Sequence, residues 1–134
     1  MNNKTKIIFF GTPEFAVPTL EALVNNQNFE VVAVVTEPDR VAGRGKKIIA
    51  PPVKILAQKY NLDIFQPEKI ENLKLKIENL RPKVAVVVAY GQIIPQEILE
   101  IPKFGFLNIH PSLLPKYRGP SPIQSTILNG DRET

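Results

Sequence analysis

The chain contains one histidine, His110, and it stands two residues after Asn108 in the stretch GFLNIHPSLLPKYRGPSP, residues 105–122. Residues two apart on an extended strand send their side chains to the same face. An asparagine amide is an uncharged donor suited to an oxyanion, and an imidazole exchanges a proton near neutral pH. The same pair could instead cap the strand end or hydrogen-bond a loop. The partner residue, the position at the end of an apolar run and the loop bearing Pro111, Pro115, Pro120 and Pro122 favour chemistry.

A second chemical feature is electrostatic. Between Glu37 and Lys59 lie Arg40, Arg44, Lys46, Lys47, Lys54 and Lys59 against only Glu37 and Asp39, and no carboxylate occurs from Arg40 to Leu62. The net charge of +4 is therefore concentrated in one segment. Gly43 and Gly45 flank Arg44, so TEPDRVAGRGKKIIAPP reads as a long, mobile cationic loop with the chemistry of phosphate contacts. A solvated charge run fits the same residues. Aromatic residues for base stacking are absent from the segment, which speaks against sequence-specific single-strand reading.

Other chemistries are disfavoured. With no cysteine there are no disulfides and no thiolate ligands, and a single histidine speaks against a histidine-based zinc site. FFGTPEF puts Gly11 between an apolar run and a helix pattern, but it lacks the further glycines of a dinucleotide fingerprint and has Pro13 and Glu14 where a pyrophosphate would lie. The chain also lacks a phosphate-cradling Walker loop. The longest apolar stretch, Val84–Tyr90, is too short to span a bilayer, and the start does not read as a signal peptide. A cysteine-free chain of this composition suits the cytoplasm.

These residues need a scaffold, and 134 residues suffice for one domain with a real core. Solidly apolar runs at Lys6–Phe10, Val31–Thr36, Asp63–Phe65, Lys83–Ala89 and Phe106–His110 read as strands. Between them, helix patterns begin at Thr12–Pro13 (with Thr12 as the N-cap and Phe15, Leu20, Leu23 and Val24 inward) and cover Val53–Tyr60, Ile70–Leu80 and Pro95–Glu100. A last helix is expected over Ser121–Leu128. Apolar strands alternating with helices predict an α/β, doubly wound, mostly parallel sheet with helices on both faces, Rossmann-like in form. Ligands of such sheets bind beyond the carboxyl ends of the strands where strand order reverses. If the first and fourth strands flank that point, Gly11–Phe15, Tyr90–Pro95 and His110–Gly119 converge there.

FFGTPEFAVPTLEAL, TEPDRVAGRGKK, PPVK, VVVAYGQIIP and NIHPSLLPKYRGPSPIQ together resemble the amino-terminal half of the methionyl-tRNA formyltransferase family. The last block is shared with the wider folate-dependent formyltransferases, and GRGKK points to the tRNA-directed members. The resemblance implies transfer of a formyl group from 10-formyltetrahydrofolate to methionyl-initiator tRNA, without a metal. It implies that Asn108 and His110 are two of three catalytic residues and that Ser112, Leu113, Leu114 and Pro115 bind folate. Tyr90, Gly91, Gln92, Ile93, Ile94 and Pro95 would line the pterin pocket, with Ile93 and Ile94 as apolar wall. Gly11, Thr12, Pro13 and Phe15 would lie near the acceptor's methionyl end, and Arg40, Arg44, Lys46 and Lys47 would contact tRNA. By the same resemblance, residues 1–134 are the first part of a catalytic domain, and the third catalytic residue, an aspartate, lies beyond Thr134. A carboxyl-terminal tRNA-binding domain would follow, so the chain alone is expected to have little or no activity. The full-length family implies a monomer. A non-catalytic folate- or tRNA-binding module, and part of a sugar-nucleotide formyltransferase, are the competing readings.

Overall fold

A computed structural model describes residues 3–111 and 123–128. Its centre is a six-stranded sheet whose strands are β1 (Thr5–Gly11), β2 (Phe29–Val35), β5 (Ile64–Phe65), β6 (Val84–Val88), β7 (Phe106–Pro111) and β8 (Ile123–Leu128). Their spatial order is β5-β2-β1-β6-β7-β8, with the first five parallel and β8 antiparallel to β7. Order therefore reverses between β1 and β6, the first and fourth strands expected to flank that point.

The apolar runs are strands because both faces are covered. Ile8, Phe10, Ala33, Val35, Ala85, Val87 and Phe106 face one layer, where they meet Ile70, Leu73, Ile77 and Ile98. Ile7, Phe9, Val34, Val86 and Val88 face the other, against Leu20, Val53, Leu56 and Ala57. The first layer is built by a 3-10 turn (Ile70–Leu73) that runs into α3 (Lys74–Leu80), together with α4 (Gln96–Leu99). The second is α1 (Val17–Val24) and α2 (Pro52–Lys59). Proline in the first helical turn starts both α1 and α2, where a missing N–H costs nothing. Arg81, left-handed at φ 52°, ends α3 before Pro82.

Three expectations are corrected. The helix expected over Ser121–Leu128 is not found where that segment is described: Ile123–Leu128 is strand β8, pairing Asn108 with Thr126 and His110 with Gln124, and Ser121 and Pro122 lie outside the described residues. A short run with β-branched Ile and Thr satisfies either pattern, and the open edge of β7 supplies hydrogen bonds that favour the strand. The segment after β2 is not a featureless loop: Arg40–Ala42 (β3) and Lys47–Ile49 (β4) form an antiparallel hairpin, with Val41 opposite Ile48. Gly43, Gly45 and Lys46 turn it with φ of 77°, 79° and 50°. Thr12 is not a helix cap either. The chain leaves β1 into a 3-10 turn (Glu14–Ala16) preceded by Pro13, with no side-chain cap, and Phe15 stands 41% exposed instead of entering the core.

Candidate functional site

The carboxyl ends of β1, β2 and β6 are tied together by Thr12. Its hydroxyl donates to the Tyr90 carbonyl at 2.7 Å and accepts from the Glu37 N–H at 3.3 Å, while the Thr36 hydroxyl lies 3.5 Å away. A β-hydroxyl on the residue after a strand is short enough to reach both neighbouring strand ends. Close packing just before it requires Gly11: a β-carbon there would lie 2.8 Å from Phe9 Cε2, 2.9 Å from the Val88 carbonyl oxygen and 3.1 Å from Ala16 Cβ.

Beyond β6 the backbone turns left-handed at Ala89 (φ 51°) and Gly91 (φ 108°). This brings Tyr90 back over the sheet, 2% exposed, with its ring edge-on to Phe10 at 5.5 Å between centroids. Its hydroxyl is buried with no hydrogen-bond partner among the described residues. Burial, and after it the charge of Glu37, push the phenol well above its ordinary value. Gln92 is fixed at both ends of its amide: the oxygen accepts from the Ile70 N–H at 3.1 Å, and the nitrogen donates to Glu37 Oε1 at 3.0 Å and the Pro67 carbonyl at 3.3 Å.

On β7, Asn108 and His110 share the face that their spacing requires, and Asn108 Nδ2 lies 2.7 Å from His110 Nε2. Ile109 points the other way and packs against the opposite core layer. A cleft of about 360 Å³ opens here, lined by Phe15, Val87, Ala89, Tyr90, Gln92, Asn108, Ile109 and His110. A larger groove, about 610 Å³, lies at the other end of β6 among Lys74, Glu78, Arg81, Lys83 and Glu97. Ligands of doubly wound sheets sit at the carboxyl ends of the strands, so the smaller cleft is the candidate site.

The structure brings many of the singled-out residues together and separates others. Phe15, Tyr90, Gln92, Asn108 and His110 share the cleft. Ile93 instead stands 91% exposed, and Ile94 packs against the core. Thr12 and Pro13 line a second, apolar hollow of about 290 Å³ beneath the hairpin, with Glu37, Arg40, Ala42 and Ile49. Arg40, Arg44, Lys46 and Lys47 are exposed on the hairpin. Ser112, Leu113, Leu114 and Pro115 lie outside the described residues. Among the described residues no cluster of His, Cys, Asp or Glu is placed to hold a metal ion, and no helix is long and apolar enough to cross a membrane.

The hairpin's root is anchored by residues that sequence reasoning did not single out for a role in the site. Asp39 accepts from Gln66 at 2.7 Å and from Lys54 at 3.1 Å, and these bonds hold its carboxyl below the ordinary range. Gln66 also donates to the Glu37 carbonyl at 3.1 Å. These partners are 15 to 29 positions apart, beyond the reach of any local pattern.

A parallel sheet with a neutral amide and an imidazole near the end of an inner strand, over a cleft beside the strand-order reversal, is an α/β architecture with polar groups placed where such sheets take their ligands. Comparison with known proteins makes this specific. The Formyl transferase family model matches residues 5–134, and the chain belongs to that family. It is 54% identical over 129 residues to methionyl-tRNA formyltransferase of Hydrogenobaculum sp. (strain Y04AAS1), and 52% identical over 131 residues to that of Clostridioides difficile. Each alignment covers 96% of this chain and 42% of the relative, so the chain spans about two fifths of the relatives' length.

Solved structures share the fold. Glycinamide ribonucleotide transformylase 1 from Geobacillus kaustophilus aligns with a TM-score of 0.62 at 17% identity, over 97% of this chain and 76% of that one. A formyltetrahydrofolate deformylase from Pseudomonas putida aligns at 0.61 and 18%, over 98% and 51%.

Proposed function

We propose that this chain supplies the formyl-transfer site of a methionyl-tRNA formyltransferase, acting in translation initiation in the cytoplasm. The formyl group moves from 10-formyltetrahydrofolate to the α-amine of methionyl-initiator tRNA. The observation that carries the reading is the Asn108–His110 pair, 2.7 Å apart at the edge of the cleft.

As the amine attacks the formyl carbon, the carbonyl oxygen becomes an oxyanion. The Asn108 amide and the His110 imidazole stabilise it, and preorganised donors at that position typically account for about 2.7–4 kcal/mol of barrier each. His110 relays the proton as the tetrahedral intermediate collapses and the folate nitrogen departs. In the described geometry the two side chains are bonded to each other, and the incoming carbonyl oxygen takes the place of that mutual contact. Tyr90 and Gln92, with Ser112–Pro115, hold the folate, Gly11–Phe15 face the methionyl end, and Arg40, Arg44, Lys46 and Lys47 meet phosphates of the tRNA.

Binding tests this reading directly on the 134-residue chain. Titration with 5-formyltetrahydrofolate, followed by amide chemical shifts, is expected to move Tyr90, Gln92, Asn108 and His110. Shifts confined to the groove at Lys74–Arg81, or none at all, would remove the folate assignment. A formyl-transfer assay of the longer protein with Asn108→Ala or His110→Ala is expected to lose about 10²–10³-fold in kcat.

A further inference from the structure

Glu37 is the residue where the cationic hairpin and the cleft meet. Its N–H donates to Thr12, its carbonyl accepts from Gln66, and its carboxylate accepts from Gln92. The carboxylate also covers Gly91: a β-carbon on that glycine would collide with Glu37 Oε2, and Gly91 already has φ of 108°. Glu37 therefore holds the left-handed turn from Ala89 to Gln92, and Tyr90 and Gln92 of that turn line the cleft. Toward the hairpin, Gln66 bonds the Glu37 carbonyl and the Asp39 carboxylate with one amide, and Asp39 immediately precedes β3.

We infer that Glu37 is a positioning residue that couples the hairpin to the cleft. A polyanion that moves Arg40 and the hairpin displaces Asp39, then Gln66 and Glu37, and so changes the support of Gln92. Two sites joined through one hydrogen-bonded node influence each other's occupancy equally in both directions. The identity of the two ligands, a folate and a tRNA, rests on the function proposed above. The coupling between hairpin and turn rests on the bonds themselves.

The test has an arm without ligands and an arm with them. Hydrogen exchange in the 134-residue chain compares wild type with Glu37→Ala, Glu37→Gln and Gln66→Ala. Glu37→Ala is expected to speed exchange at Gly91, Gln92 and Val41–Ile49 together, by about tenfold, as local opening becomes easier. Glu37→Gln keeps an acceptor for Gln92 and is expected to stay within about twofold of wild type. Gln66→Ala, which cuts the chain one link away at a half-buried residue, is expected to loosen the same two segments even if Glu37→Ala fails to fold. Loosening of only one segment, or equal loosening by Glu37→Gln and Glu37→Ala, would overturn the inference.

With ligands, saturating initiator tRNA is expected to change the Kd for 5-formyltetrahydrofolate by about fivefold or more in wild type and not in Gln66→Ala. An unchanged Kd in wild type that binds both ligands also overturns the coupling. If wild type binds neither, the functional reading fails, and the exchange data alone decide whether hairpin and turn are coupled.

Discussion

The Thr12 hydroxyl donates to the Tyr90 carbonyl at 2.7 Å, joining two residues 78 positions apart at the ends of adjacent parallel strands. The same oxygen receives the Glu37 N–H, so one side chain sets the spacing of three strand ends around the site. Thr12→Val keeps the shape and removes the hydrogen-bonding group. It is expected to destabilise the chain by about 1–3 kcal/mol, because two backbone groups lose their partner. Thr12→Ser is expected to restore most of that loss, as read by urea unfolding.

Tyr90 makes an opposite prediction. Its hydroxyl is buried without a partner among the described residues, so Tyr90→Phe is expected to be neutral or stabilising by up to about 1 kcal/mol at pH 7. Its pH dependence follows from the raised phenol. Folding favours the protonated form, so this stabilisation is complete below the unfolded value near 10. It falls as pH rises through the raised folded value. Unfolding curves from pH 8 to 11 are expected to show an alkaline decline that is reduced in Tyr90→Phe.

Two glycines answer to different constraints. Gly11→Ala adds a carbon within 3.1 Å of three groups, one of them a backbone carbonyl, and is expected to cost about 1–3 kcal/mol by overpacking. Gly91→Ala meets both a positive φ and the Glu37 carboxylate. Its expected effect includes reorientation of Gln92, visible as a changed side-chain amide shift, which Gly11→Ala does not produce.

The hairpin's anchorage depends on acid. Hydrogen bonds from Gln66, then Lys54, lower the Asp39 carboxyl, so its contribution is present above the ordinary carboxylate value near 3.9. It is lost as pH falls through the lower folded value. Hydrogen exchange at Val41–Ile49 is expected to lose protection as pH falls below the ordinary carboxylate value, after correction for intrinsic rates. Asp39→Asn is expected to show weakened protection already at pH 6.

Arg44 sits at the turn of the hairpin between two left-handed glycines. Arg44→Ala is expected to weaken tRNA binding and to reduce the slope of log K against log salt by about one contact's worth, roughly 0.9. An unchanged affinity and slope would favour a sugar-nucleotide acceptor over tRNA.

Much of the architecture is legible in the chain because parallel strands covered on both faces must be continuously apolar. Val84–Val88 and Val31–Val35 could hardly be anything else. The shared face of Asn108 and His110 follows from strand parity alone, and their 2.7 Å contact agrees with it. The hairpin was less legible, since three-residue strands carry almost no periodicity and their pairing comes from the turn at Gly43–Lys46. The residues at 123–128 satisfy helix and strand patterns alike, and only the neighbouring edge of β7 decides between them.

By itself, then, the sequence determined the alternation of strands and helices, the cationic segment, and an asparagine and a histidine on one face of a strand end. Tertiary structure decided which strand ends meet, that Phe15 lines the cleft instead of the core, and that Thr12, Glu37, Gln66 and Gln92 form one polar clasp. The reason is range. Periodicity and capping act over a few residues, whereas the clasp's bonds span 25 to 78 positions and exist only once strand order has brought their partners together.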